Sequence, residues 1–405
     1  MEFKIDKSNW KKVRLGDVAI EYSKRINNPS ESEFDRFVGS SNIGQWDFRD
    51  QSWESTDSVT SAMKLFEPND YLLVRRSLYA SDFRERAPRA HFSGVCSGDI
   101  LTIKENPMKV VDGFLIGIFN SPSLWKYVVA NASGSITRRI KWKDLANYEF
   151  LLPPKDQQAK LAELLWAMDE VVEREREVLE KLNNTYSTSI NQFMIHGNYS
   201  DAGELVKSRC GLLDSRIDTV KLKDCLIEKP TYGANASSKP FENGSLRYIR
   251  ITDIDDEGNL IKEDKVTIDS TDYEQYILRD QDFLFARTGN TVGKTLLFGS
   301  QMEDSVFAGY LIRFRVNEEI LNPKFLFYFT KSLKYESFKI KMIKVGAQPN
   351  INSEEYQSMV LPFFSVDTQN ALINKLDFLK SNIDVLKSKI SSSKALQKSL
   401  INQVF

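Results

Sequence analysis

Cysteine and histidine are nearly missing from this chain. Across 405 residues there are three cysteines, Cys96, Cys210 and Cys225, and two histidines, His91 and His196. That is too few and too scattered for a disulfide framework or a zinc set, and it fits a reducing cytoplasm. No apolar run approaches the roughly 20 residues of a membrane span, and the mixed stretch Met1 to Trp10 has no signal-peptide core. The charge is balanced at a net −1, so the molecule has no general attraction to nucleic acid, and any such surface must come from local clusters. With 41% hydrophobic and 27% charged residues the composition is that of an ordinary soluble protein of two or three domains.

Catalytic signatures are missing as well. There is no glycine-rich methyl-donor loop of the usual form, no Asn-Pro-Pro-aromatic or Asp-Pro-Pro-Tyr tetrapeptide for adenine methylation, no histidine-based triad and no metal set. Leu152-Pro153-Pro154-Lys155 comes nearest, but these prolines, like Pro362, more simply end a strand and start a helix. Gly289-Asn290-Thr291-Val292-Gly293-Lys294-Thr295 invites a phosphate-loop reading and fails it, with three residues between its glycines where that loop needs four. One enzymatic reading stays open, a metal-dependent nuclease built on Asp70 or Asp282. Its competitor is that both carboxylates cap turns ahead of apolar strands.

Two long stretches lack any interior glycine or proline, and they are copies of each other. Asp156, Gln158, Leu161, Leu165 and Ile190-Asn191-Gln192 fall on Asp367, Gln369, Leu372, Leu376 and Ile401-Asn402-Gln403 at a constant offset of 211. In the first copy Leu161, Leu165, Met168, Val172, Leu179 and Leu182 step by threes and fours; in the second, Leu372, Leu376, Leu379, Ile383, Leu386 and Ile390 do the same. Each predicts a helix close to 40 residues, about 58 Å at roughly 1.5 Å per residue. The first carries eight acidic and four basic residues, the second three and six, so the two are expected to pack on each other through complementary charge. Polar seam positions at Glu175, Ser189, Ser393 and Gln397 are expected to fix register or to receive a further protein.

The regions ahead of the helices are repeated too. Phe37 to Ile43 matches Tyr248 to Ile254, and Asp70-Tyr71-Leu72-Leu73-Val74-Arg75-Arg76 matches Asp282-Phe283-Leu284-Phe285-Ala286-Arg287-Thr288. Short apolar strand candidates predominate, which predicts an α/β fold: two mixed α/β domains in tandem repeat with curved, mostly β cores, separated by two long antiparallel coiled-coil helices. The expected boundaries are 1–152 and 217–361 for the domains, 153–195 and 362–405 for the helices, and 196–216 for a polar, patternless linker. Between the anchors the copies differ, as two recognition units with different targets would.

Candidate nucleic-acid contacts follow from residue chemistry. Arg75, Arg76, Arg84, Arg86 and Arg89 crowd into fifteen residues, and Arg138 and Arg139 follow a Gly-Ser pair. Arginine forks guanine O6 and N7 and also grips phosphate; the alternative for each is a solvated charged face. The second domain offers Tyr232, Arg250, Thr252, Arg287, Thr288, Asn290, Lys294, Gln348 and Asn350, with Asn and Gln suited to adenine.

The duplication, the Leu-Pro and Asp-x-Gln helix entries, the Ile-Asn-Gln helix ends and Arg287-Thr288-Gly289-Asn290-Thr291-Val292-Gly293-Lys294 together resemble the specificity (S) subunits of Type I restriction-modification systems over nearly the whole chain. The resemblance implies two target recognition domains, each reading one half of a split, asymmetric DNA site, and helices that form an antiparallel spacer. It also implies two methyltransferase subunits docked on that spacer and restriction and translocase subunits joining them, with S-adenosylmethionine and ATP with magnesium bound by those partners and none by this chain. No catalytic residue and no membrane association are implied. Arg75-Arg76-Ser77-Leu78 departs from the glycine turn of the second domain, so contacts do not transfer from one domain to the other by analogy. The competing reading is a stand-alone DNA-binding or anti-restriction protein with the same domains.

Overall fold

The computed structural model describes the chain except residues 1–5, 50, 51, 78–85, 136, 200, 202, 271 and 344–348. Both long helices form, over Lys155–His196 and Val366–Val404, 42 and 39 residues long. Every seam position named above is buried or half-buried, as the three-four step requires of an amphipathic stripe.

The chain divides into two compact units that cut across both helices. Unit 1 comprises residues 1–178 and 386–405, and unit 2 comprises residues 179–385.

In unit 1 a three-stranded antiparallel sheet has Ile100–Glu105 at its centre, between Ala19–Glu21 and Tyr71–Val74. A five-stranded sheet pairs Arg36–Val38 in parallel with Gly94–Cys96. Tyr71 to Val74 are buried without interruption, so this run reads as a core strand rather than an alternating one. Its core also takes Leu165 from the first long helix and Leu400, Ile401 and Val404 from the end of the second.

Unit 2 repeats the plan. Phe283–Ala286 pairs antiparallel with Leu311–Phe314, and Arg247–Ile249 pairs in parallel with Ser305–Phe307. Its core takes Leu372 and Leu376 from the start of the second helix and Ile190, Phe193 and Met194 from the end of the first. The repeated Ile-Asn-Gln signature is therefore a docking end: Ile190 and Ile401 are each buried against β-domain side chains.

The Asp-x-Gln signature has an equally local cause. Gln158 accepts from Val111 N (2.9 Å) and donates to Pro153 O (2.8 Å). Gln369 accepts from Asn322 N (2.8 Å) and donates to Phe364 O (2.9 Å) and Ile320 O (2.9 Å). In both units a buried amide fastens the first turn of a helix to the loop it leaves, satisfying backbone groups that would otherwise be buried unpaired.

Two expectations need correction. The linker is not patternless, because Leu205–Ser208 and Gly211–Asp214 form a two-stranded hairpin that turns at Arg209 and Cys210, with Gly211 (φ +96°) opening the second strand. The helix charges are spent partly within each unit's own loops, not helix to helix alone. Lys389 pairs with Glu175 at 3.2 Å inside unit 1, but Asp169 binds Arg49, Arg176 binds Asp47 and Lys380 binds Glu257, all of them on loops of the helix's own unit.

Candidate nucleic-acid interface

In unit 1 the Tyr71–Val74 strand runs into Arg75, whose N donates to Asp99 O (3.0 Å) and whose O accepts from Ile140 N (3.1 Å). This brings Arg76 opposite Arg139 in a short antiparallel pair. Both side chains converge on one carboxylate, with Arg76 Nη1 2.8 Å from Asp99 Oδ2 and Arg139 Nε 2.9 Å from Asp99 Oδ1. The arginine side chains are 42% and 43% exposed and that of Asp99 is 17% exposed, so the cluster sits at the surface with its anion inward. Burial acts to raise the Asp99 pKa, but the hydrogen bonds from Arg76 and Arg139 outweigh it and hold the carboxyl below its usual range.

In unit 2 the same scaffold recurs with other side chains. Arg287 N donates to Tyr310 O (3.0 Å) and Arg287 O accepts from Ile351 N (2.9 Å), the pattern made by Arg75, Asp99 and Ile140. Thr288 lies opposite Asn350, as Arg76 lies opposite Arg139. Arg287 Nε reaches Asn350 Oδ1 at 3.4 Å, and its guanidinium lies 4.9 Å over the Tyr232 ring. The Tyr232 hydroxyl accepts from Ser353 N at 3.1 Å. Tyr310 is 59% exposed beside them. The turn that follows depends on glycine at two places, Gly289 (φ +69°) and Gly293 (φ +85°), and it presents Asn290 at the surface.

The remaining candidates divide by what holds them. Arg89 is turned inward, ion-paired with Asp112 and with Glu105 (3.5 Å) and set over Tyr71 and Trp166. Arg86 donates to Ser40 O (3.2 Å), and Arg138 donates twice to Ala132 O (3.2 and 2.7 Å). Arg250 is bidentate to Asp253 (2.7 and 3.1 Å), bracing its own turn, where Thr252 is exposed. Lys294 binds Ile254 O (3.1 Å) and Asp256 (2.9 Å). Arg84 and Gln348 lie outside the described residues. Sequence reasoning missed Asp99 and Tyr310, which the 211 offset would have paired, since each directly precedes the second strand of its central pair.

The nuclease reading finds no support in the geometry. Asp70 accepts from Glu67 N (2.9 Å), and Asp282 accepts from Arg279 N (2.8 Å) and Arg315 Nε (2.5 Å), so each closes a turn. Among the described residues no group of three or more His, Cys, Asp or Glu is placed to hold a metal, and no helix is long and apolar enough to cross a membrane.

No family model matches the chain. The Type I restriction enzyme MjaVIII specificity subunit of Methanocaldococcus jannaschii is 21% identical to it over 409 residues, 97% of this chain and 91% of that protein. Over nearly its whole length the chain is therefore similar to a Type I restriction-modification specificity subunit. Solved structures share the fold described above. A Type-I restriction-modification system S subunit from M. genitalium matches over 98% of this chain and 96% of its own length, with a TM-score of 0.54 at 15% identity. A chain from work on complex assembly and conformational transition of the type I R-M system matches over 97% and 95%, with a TM-score of 0.57 at 18% identity. Both matches cover nearly the whole of each chain at only 15% and 18% identity, so what is shared is the fold.

Proposed function

We propose that the chain is the non-catalytic specificity subunit of a Type I restriction-modification complex in the cytoplasm. It reads a split, asymmetric DNA site with its two units and directs adenine methylation or restriction by partner subunits. The observation that carries this reading is the scaffold built twice with unlike side chains: Arg76, Asp99 and Arg139 in one unit, Thr288, Tyr310 and Asn350 in the other. A single target would favour like side chains at like positions; two different half-sites require unlike ones.

Two methyltransferase subunits would supply S-adenosylmethionine chemistry, and restriction and translocase subunits would bring ATP with magnesium. The segments 1–152 and 217–361 act as target recognition domains, and 153–195 with 362–405 as the spacer. Arg76 and Arg139 form the DNA face of unit 1, with Arg75 and Arg138 at its margin, and Arg287, Thr288, Asn290, Asn350 and Tyr232 form that of unit 2, with Thr252 and Lys294 at its margin. Arg86, Arg89 and Arg250 support the fold beneath these faces, since their guanidinium groups are taken up within the protein.

Exchange of residues 1–152 for the corresponding segment of another specificity subunit tests the reading. Methylation profiling is expected to show one half of the modified motif replaced and the other kept. Replacement of both halves, or of neither, would contradict it. A chain that binds DNA but never co-purifies with a methyltransferase would be a stand-alone binder instead.

A further inference from the structure

The three positions that the repeated backbone gathers at the end of each central strand pair carry different chemistry in the two units. In unit 1 two exposed guanidinium groups share one carboxylate. Each uses a single N–H on Asp99, and arginine has five in a fixed fork. Exposed ion pairs of this kind contribute little to folding, because they lose side-chain entropy and are screened by water. Stability is therefore a poor reason for ordering two arginines side by side. In unit 2 the equivalent positions hold a hydroxyl, a phenol and an amide. Arg287, itself stacked on Tyr232, donates to the amide oxygen of Asn350 and fixes which way that amide faces.

We infer that positions 76, 99 and 139, and their counterparts 288, 310 and 350, determine specificity, and that the two triplets read different bases. The half-site facing unit 1 contains guanine, and the half-site facing unit 2 contains adenine. The inference rests on the DNA-reading function proposed above and goes beyond it by naming positions and base classes. An arginine fork matches guanine O6 and N7; an asparagine amide, one donor beside one acceptor, matches adenine N7 and N6. Asp99 and Arg287 are positioning residues. Asp99 holds two forks at a fixed angle, and Arg287 holds one amide.

The test is selection of a randomised double-stranded oligonucleotide library by the full-length chain at low and moderate salt, with the melting temperature of each variant measured alongside. The wild type is expected to enrich two short blocks at a fixed separation, one with guanine and one with adenine. Arg139→Lys keeps the charge and the ion pair but loses the fork, so the guanine preference in one block should fall by roughly tenfold while the other block is unchanged. Asn350→Asp should turn adenine into cytosine in the second block alone, because a carboxylate accepts from cytosine N4. Asp99→Asn should blur the first block and steepen the salt dependence, as two released guanidinium groups turn to phosphates.

Folded Arg139→Lys and Asn350→Asp variants that enrich the wild-type blocks would overturn the inference and leave DNA reading intact. An Asp99→Asn protein that melts lower with unchanged preference and salt slope would overturn the positioning role. A wild-type chain that enriches no sequence would overturn the proposed function itself, and the inference with it.

Discussion

Gln158 and Gln369 show how much work a single buried amide does when it sits between a helix and the loop ahead of it. Truncating either to alanine leaves a buried backbone N–H and carbonyl without partners, and each is expected to cost about 1–3 kcal/mol, read as a lower midpoint in denaturant unfolding. Lys331 makes a second case. Burial is the largest influence on it and pushes its pKa down to about 8, so between pH 8 and its ordinary value of 10.5 the folded chain holds fewer protons than the unfolded one. The penalty for burying its charge is complete below pH 8 and fades as pH rises toward 10.5. Lys331→Met is therefore expected to raise stability most at neutral pH, with the gain shrinking in unfolding measured at pH 9 and 10. Both glutamines were legible as repeat anchors, but their partners were not, because Val111 and Asn322 lie some distance away in sequence with nothing to mark them. The same applies to the arginines: nothing around Arg89 or Arg250 in sequence distinguishes a side chain held by Asp112 or Asp253 from one presented at the surface.

At the scale of elements, the long helices were the most legible part of the chain, since a three-four step without glycine or proline admits few other structures. The polar seam was legible in part. Glu175, buried in that seam, receives Ser393 Oγ at 3.1 Å and lies 3.2 Å from Lys389, which ties one register of the two helices within unit 1. The hairpin at 205–214 was not legible, because two-residue apolar runs among polar neighbours carry no periodicity. The docking ends give a separable prediction. Ile401→Ala should cost about 2–5 kcal/mol, with hydrogen-exchange protection lost in unit 1, and Ile190→Ala should do the same in unit 2. Uniform loss across both units after either change would show that the units do not unfold separately.

At the scale of the whole molecule, the duplication was plain in the sequence while the proposed recognition positions were not. They emerge only once the paired hydrogen bonds of Arg75 with Asp99 and of Arg287 with Tyr310 identify equivalent backbone sites bearing unrelated side chains. If the helices set the gap in the DNA site, removing seven residues from each, about 10 Å of helix, should shorten the preferred gap by about three base pairs of roughly 3.4 Å. An unchanged gap in the motif methylated by such a variant would show that the helices do not act as a ruler. The most direct test of the central claim is methylation profiling of DNA from cells carrying this chain with its neighbouring methyltransferase, compared with cells lacking the chain. The account predicts a new adenine-methylated motif made of two unlike half-sites with a fixed unspecified gap; a stable complex with the methyltransferase that modifies no such motif would contradict it.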